Sequence, residues 1–502
     1  MTHMDGFAAV DFGFAREVLQ RGIAVLYLVA FISTLNQFRP LLGEHGLSPA
    51  PGLLARAERA ERGTQGRRLL RPTLFRRVRY TDGRLAALCW GGILVSTLLV
   101  VGVPQLGPPW VPMVCFLVLW FGYMSITSLG QVFYGFGWEM LLLELGFLAA
   151  FLGSGSQPPP TVVIVLFWWL LFRLEFGAGM IKLRGGREWR DLTALMYHHE
   201  TQPMPGPFSR RAHLLPRWFH KGEVLGNHFA QLVVPWFLFV PILGLWVPGP
   251  VPGLIGTVAA AVVIVTQLWL VITGNFAWLN WATIVLAFSA VSVTGSAAAG
   301  TDSVGGPAVD GLPVYWFVIT CAVALAYVWL SWPALHNLFF AKRQVMNGAF
   351  NRLQLANAYG AFGSVTKVRT EYVIEGTLDE DPATDDWREY GFKGKPGDVH
   401  RVPRQFAPYH LRLDWCMWFL PLGQPLEGWF TAFLARLLDA DEPTLRLLRH
   451  DPFAGQRPKW VRVVSYRYRF ATREQHRADG AVWVRDRRYV LIGPLSRREL
   501  TA

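Results

Sequence analysis

The chain has 502 residues, of which 52% are hydrophobic and only 17% charged, with 22 Trp and 34 Phe. A soluble chain usually spends about a quarter of its residues on charges, so the composition excludes a purely soluble globular protein and indicates a multi-pass membrane protein. The formal net charge of +13 comes from arginines clustered in loops between apolar segments, without a nucleic-acid fold signature; the expected partners are membrane lipids with anionic headgroups, and no nucleic acid.

The first twenty residues contain acids and lack a basic start, so no cleavable signal peptide is expected and the first apolar segment acts as its own signal anchor. Runs of about 20 apolar residues place nine spans, near 22–38, 85–104, 110–128, 136–153, 160–182, 223–246, 251–272, 276–293 and 313–332. Links such as PQLGPP and VPGP are too short to join anything but antiparallel neighbours, which makes a compact bundle. The span near 136–153 is the weakest, because Glu139 and Glu144 would have to be buried or neutralised within it.

Within the fifth span Glu175, Gly179 and Lys182 are separated by four and three residues and share one helix face. The two charges lie roughly 10 Å apart along the axis, with a glycine gap that could admit a substrate or a partner backbone. Arg173 points elsewhere and needs its own partner, for which Glu144 is the candidate. Equally, these charges could be ion pairs that fix helix register, since a charge at the bilayer centre costs about 2.5–3.5 kcal/mol on insertion scales, and Lys182 could snorkel to water from the end of its span.

A polar loop follows at 183–222, rich in histidine: His198, His199, Glu200, His213 and His220, with His228 beyond it. The segment HETQP lacks the second histidine of His-Glu-x-x-His, and Pro203 and Pro205 prevent a regular helix there, so no metal centre is expected. His220, Glu223 and Asn227 recur at helical spacing where the sixth span begins. They either line one polar pocket with Lys182 or form an ordinary helix start.

Beyond about Ala341 the pattern changes to short alternating segments. In VVSYRYRF, Val464, Tyr466, Tyr468 and Phe470 fall on one face, the period of a half-buried strand. TEYVIEGTL and DWREYGFKG flank the turn-rich DEDPATD as a strand pair, Glu427 to His450 reads as helical, and VWVRDRRYVLI as a further strand. The segment PYHLRLDWCMWFLPL, with aromatics beside Arg412 and Asp414, is expected at the membrane interface. The expected fold is therefore an α-helical polytopic membrane bundle of about nine spans over residues 1–341, and a C-terminal β-rich α+β soluble domain over 342–502.

Several chemistries are unsupported. There is no Gly-x-Ser-x-Gly elbow and no phosphate-binding glycine loop. The four cysteines include no Cys-x-x-Cys pair; Cys89, Cys115 and Cys321 fall in spans and Cys416 stands alone, so thiol–disulfide exchange is not expected.

FGAGMIKLRGGREWRDLTALMYHHETQPMPGP followed by PRWFHKGEVLGNHFAQLVVPWFLF resembles the signature region of the lipase maturation factor family. NAYGAFGSVTKVRTEYVIEGTLD, WREYGFKGKPGD, PYHLRLDWCMWF, DPFAGQRPKWVR and YRYRF resemble that family's C-terminal domain in the same order. The resemblance runs from about residue 130 to the end. It implies a multi-pass membrane protein that helps a secreted client, a lipase by analogy, reach its active fold; the animal members reside in the endoplasmic reticulum. Glu188 and Ala194 stand where those members carry cysteines, so no redox contribution is expected. The C-terminal LSRRELTA is not a retrieval signal, which points to a bacterial plasma membrane. On this reading the client-binding residues are Trp189, Arg190, Asp191, Tyr197, His198, Glu200, Pro203, Pro205, Trp218, Phe219, Asn227 and His228, with the aromatics and prolines as contact surface. No cofactor is expected.

AGMIKLRGGREWRD is also similar to part of the membrane domain of vitamin K-dependent carboxylase-like proteins, in which a lysine at the position of Lys182 is implicated as a base. That similarity implies the alternative, an intramembrane enzyme on a lipophilic substrate with Lys182, Glu175, His199 and His220 in its pocket. Arg184 would help to deprotonate Lys182 and Glu175 would oppose it. Orientation divides the two readings: the positive-inside rule puts the Arg56–Arg79 loop and the signature loop in the cytoplasm, whereas the family resemblance puts the signature loop and C-terminal domain on the exterior side. The exterior is expected, because long folded segments cross regardless of charge.

Overall fold

The computed structural model of the chain describes residues 3–4, 7–63, 70–246, 249–294, 312–423, 426 and 428–500. Part of the Arg56–Arg79 loop, half of the VPGP link, Glu427 and the last two residues of LSRRELTA lie outside the described residues.

Among the described residues seven helices are long and apolar enough to cross a membrane. They are α1 (Gly13–Leu42), which a short 3-10 turn extends back to Val10, α3 (Asp82–Val101), α4 (Trp110–Thr127), α6 (Thr161–Arg184), α10 (Arg217–Leu232, continued by α11, Val234–Phe237), α12 (Val251–Thr273) and α14 (Val314–Phe339). The remaining helices of the first 340 residues are short: α2 (Ala50–Gly63), α5 (Gly137–Ala149), α7 (Arg187–Arg190), α8 (Leu195–Thr201), α9 (Ser209–His213) and α13 (Leu279–Ala287). The chain is thus a helical multi-pass membrane protein, and α6 is its central helix. Of the most apolar window of α6, 83% is buried, against 28% for α3, α12 and α14, which carry exposed residues such as Trp90, Leu94 and Trp329.

Two of the nine expected spans differ from the rest. The 13 residues of α5 rise about 20 Å, short of a hydrocarbon core of about 30 Å, and α13 is shorter still. Both nevertheless run between the two ends of the bundle. At one end, called here the loop end, Glu139 at the start of α5 meets Arg412, and Asn275 just before α13 donates to the carbonyls of Pro205 and Arg404. At the other end Arg16 donates to the Ser154 carbonyl, and the Val293 amide to that of Asp11. Non-helical backbone at depth is tolerated because protein surrounds it; Ser154 and Ser289 are fully buried. At that same end β1 (His3–Met4) pairs with β2 (Leu312–Pro313).

The two carboxylates that made α5 doubtful are both satisfied. Glu144, with no exposure, ion-pairs with Arg173 and accepts from Tyr327, from the Tyr359 hydroxyl at 2.7 Å and from Asn357 Nδ2 at 2.8 Å. Glu139 takes Arg412 Nη1 at 2.6 Å and the Tyr123 hydroxyl. Buried ions persist only with partners of this kind.

The C-terminal region holds an antiparallel sheet of four strands in the order β4-β3-β5-β6: β3 (Arg369–Thr377), β4 (Arg388–Glu389), β5 (Trp460–Phe470) and β6 (Trp483–Leu495). The strand pair around DEDPATD is β3–β4, in register Glu375 with Glu389. The VVSYRYRF strand is β5, with Val464, Tyr468 and Phe470 buried. Helices α15 (Arg412–Phe419) and α16 (Gly428–Leu438) belong to the same region.

This region does not merely stand on the bundle. Residues 344–363 thread into it: Gln344 Nε2 donates to the Gly177 carbonyl at 3.1 Å, and Asn357 and Tyr359 reach Glu144. Gly177 is required there, because a Cβ would sit 2.6 Å from the Tyr359 carbonyl oxygen. The PYHLRLDWCMWFLPL segment also enters the bundle. The His410 carbonyl accepts from Ser33 and Gln37 of α1, and Arg412 is fully enclosed. One hydrophobic core accordingly runs from α1 through α6 into α16 and β5.

Candidate functional site

At the loop end the C-terminal turns of α6, the signature loop, α10, α12, the start of α13, residues 359–366 and α15 enclose a cavity of about 1470 Å³. Its walls are mostly apolar and aromatic, with a few convergent polar groups, which is the usual make-up of a binding site. The signature loop forms its roof because the loop is anchored from below. Trp189 Nε1 donates to the Phe362 carbonyl at 2.7 Å, the Gly186 amide to the Gly363 carbonyl at 2.7 Å, and Arg369 of β3 to the carbonyls of Glu200 (2.9 Å), Gln202 and Pro203 (3.1 Å). Arg210 of α9 donates to the carbonyls of Ala471 (2.9 Å) and Thr472 (2.8 Å) beyond β5. The loop and the sheet are thereby one layer.

Lys182 and Glu175 both line the cavity, and neither is ion-paired with the other. Lys182 Nζ donates to Gln231 Oε1 at 2.7 Å and Asn227 Oδ1 at 3.0 Å, and lies 4.8 Å from the Trp189 ring centroid. Glu175 Oε1 accepts from Gln267 Nε2 at 2.7 Å, and Gln267 Oε1 accepts from Asn280 at 2.7 Å. The glycine gap between them is filled: a Cβ on Gly179 would fall 2.7 Å from Leu232 Cδ2. No substrate backbone enters there. Arg184 turns away to Gln344 and the Leu338 carbonyl.

The histidines divide into separate groups. His198 lines the cavity and stacks on Phe276; burial, helped by the neighbouring His199 and Lys182, pushes it down to about 3. His213 sits 3.4 Å from Glu200 and burial pushes it down to about 4, while burial raises Glu200, whose carboxylate accepts from the Phe470 amide. His228 faces the Trp189 carbonyl at 3.2 Å. His199 and His220 converge on Glu223. Among the described residues these three form the one group that could hold a metal ion.

Of the residues expected to contact a client, Arg190, Asp191 and Trp218 are exposed, Tyr197, Glu200, Phe219, Asn227 and His228 are partly so, and Trp189, His198, Pro203 and Pro205 are buried. The last four are therefore not outer contact surface: Trp189 and His198 face the cavity, and the prolines lie under the loop against β3 and Asn275. Sequence reading missed Gln231, Gln267, Trp269 and Arg369. Gln267 alone left a signal, as a buried amide inside an otherwise apolar span.

Residues 14–296 match the family model described as the lipase maturation factor transmembrane domain, and residues 355–492 the one described as the lipase maturation factor C-terminal domain. Lipase maturation factor 1 of Bos taurus is 37% identical, over 98% of this chain and 91% of its own. The Homo sapiens protein of that name is 37% identical over 97% and 89%, and Homo sapiens lipase maturation factor 2 is 28% identical over 91% and 79%. No solved structure matches.

Proposed function

Because the chain belongs to the lipase maturation factor family, we propose that it assists the folding or assembly of a secreted client, a lipase by analogy with its relatives' names, and that it does so at the loop end. The observation that carries this is the fused layer of signature loop and sheet, held by Arg369 and Arg210 over the cavity. It gives a membrane-anchored platform with exposed Arg190 and Asp191 on its outer side and the exposed Trp218 at the cavity. The assay is direct: the chain is expressed in cells lacking their own maturation factor, together with a lipase, and active lipase in the medium is measured. Recovery above the empty vector supports the reading. Secretion of lipase mass without activity refutes it.

The alternative needs Lys182 as a base. Its surroundings fit an ammonium instead, since two amide oxygens accept from Nζ and an indole face covers it. A base needs a lone pair aimed at substrate. Lys182→Met is therefore expected to keep lipase maturation within about twofold of wild type, a change smaller than one lost hydrogen bond of about 1 kcal/mol. Abolished maturation with wild-type expression and thermal midpoint would revive the enzymatic reading.

We further place the loop end on the exterior side of a plasma membrane. The Arg-rich loop shares that end, as Arg352 donates to the Leu70 carbonyl and Thr73 to that of Ser125, so its charge opposes this orientation and the long folded C-terminal region supports it. Probes must be exposed, as Arg190 and Glu474 are. With Cys89, Cys115, Cys321 and Cys416 replaced, single cysteines at Arg190 and Glu474 should react with a membrane-impermeant maleimide on intact cells. Reaction only after lysis would put the platform in the cytoplasm and end the secreted-client reading.

A further inference from the structure

At the cavity wall, which Glu223 lines, His199 of α8 and His220 and Glu223 of α10 bring their ligand atoms within 4.8 Å of one another. His199 and His220 are 1% and 2% exposed. From this geometry we propose that the three residues form a binding site for a zinc-type divalent cation, which ties the signature loop to α10.

The distances are the first reason. Glu223 Oε2 lies 3.3 Å from His220 Nδ1 and 3.4 Å from His199 Nε2, and Oε1 lies 3.3 Å from His199 Nε2. Hydrogen bonds between charged partners contract to about 2.7–2.9 Å. Ligands held tetrahedrally at about 2.0–2.1 Å from zinc are separated by about 3.3 Å, which is the spacing of each histidine nitrogen from the carboxylate.

The proton inventory is the second reason. His220 Nε2 faces the His213 carbonyl at 3.3 Å, and a carbonyl only accepts, so the ring proton belongs on Nε2. In a neutral ring that leaves the Nδ1 lone pair against the Glu223 carboxylate, an arrangement that repels until a cation lies between them. A histidine whose second nitrogen donates to a backbone carbonyl is the usual metal ligand. The carboxylate has the matching outer support, since Trp269 Nε1 donates to Glu223 Oε1 at 2.6 Å. Ligation through His199 Nε2 puts that ring's proton on Nδ1, which has no partner among the described residues, so His199 lacks the outer acceptor that His220 has. Two imidazoles and a carboxylate suit zinc, with a fourth position left for water.

The test uses the full chain, purified without a histidine tag and stripped with chelator. Co²⁺ should bind at one equivalent, give the intense visible absorption of a tetrahedral site, and be displaced by Zn²⁺. His199→Asn and Glu223→Gln should abolish that absorption. Zn²⁺ should raise the thermal midpoint of wild type and leave theirs unmoved. Trp269→Phe removes only the outer hydrogen bond and should weaken Zn²⁺ about tenfold. The wild-type spectrum is decisive even if the variants fail to fold. No absorption, or the weak spectrum of an octahedral ion, overturns the site, as does unchanged binding in His199→Asn and Glu223→Gln.

Discussion

Arg412→Ala should cost about 3–5 kcal/mol of stability, the typical result of leaving one member of a buried ion pair alone. Arg412 has no exposure and fills several needs at once. Its guanidinium pairs with Glu139 at 2.6 Å, donates to the Phe133 carbonyl at 2.9 Å and lies 3.4 Å from the Tyr134 ring centroid. Removing it leaves the Glu139 carboxylate with the Tyr123 hydroxyl and with His410. That histidine is a poor substitute cation, because its burial opposes the charged form. The pair also joins α5 to α15 across 273 residues of sequence, so the loss should loosen the C-terminal region from the bundle. Thermal unfolding in detergent, read beside proteolysis of the C-terminal strands, measures both effects. The double variant Arg412→Met with Glu139→Gln should recover most of the loss, since it leaves no lone charge. If Arg412→Ala shifts stability by less than about 1 kcal/mol, the pair is solvated and the account of α15 as an inserted anchor is wrong.

How far the fold could be read from the sequence depended on the range of the interaction that fixes each piece. The long spans were legible because membrane insertion needs about 20 apolar residues in a row, and the strands β3, β5 and β6 because side chains alternate across a sheet. Both are local rules. The short helices α5 and α13 obeyed the same composition while breaking the length rule, and their extents depend on packing that no window senses. Arg173 was correctly given Glu144, since both sat in apolar runs and needed a partner. The threading of 344–363 was invisible, because Asn357 and Tyr359 look like ordinary loop residues until they meet a carboxylate more than 200 positions earlier. The same holds at the site. Lys182 and Glu175 were found from helical spacing, and Asn227 was read as one possible neighbour of Lys182, which it is; the partners Gln231 and Gln267, on other helices, were not seen. His220 and Glu223 were seen as neighbours on one helix face, but His199 joins them only through the fold of the proline-bounded loop.

Arg369→Ala should reduce lipase maturation to background, while Lys182→Met leaves it near wild type. Arg369 is 2% exposed, yet it serves the loop more than its own strand. Its two terminal nitrogens reach three carbonyls of the signature loop, those of Glu200, Gln202 and Pro203, and Nη2 also pairs with Glu371 at 2.6 Å. A planar fork is what allows one side chain to hold that stretch of backbone. Without it three enclosed carbonyls lose their donor, at about 1–3 kcal/mol for each group left unsatisfied. Glu371 would keep Lys395 at 2.5 Å, so the sheet itself should survive and the damage should stay in the loop. Arg369→Lys is the sharper variant. It keeps the charge beside Glu371 and cannot span the carbonyls, so it should fold and still fail to mature the client. If Arg369→Lys supports full maturation, the fused layer is structural trim and the client contact lies elsewhere on the chain. If Arg369→Lys and Lys182→Met both fail while folding normally, the cavity beneath the loop is what the client's maturation requires, and the platform serves to close it.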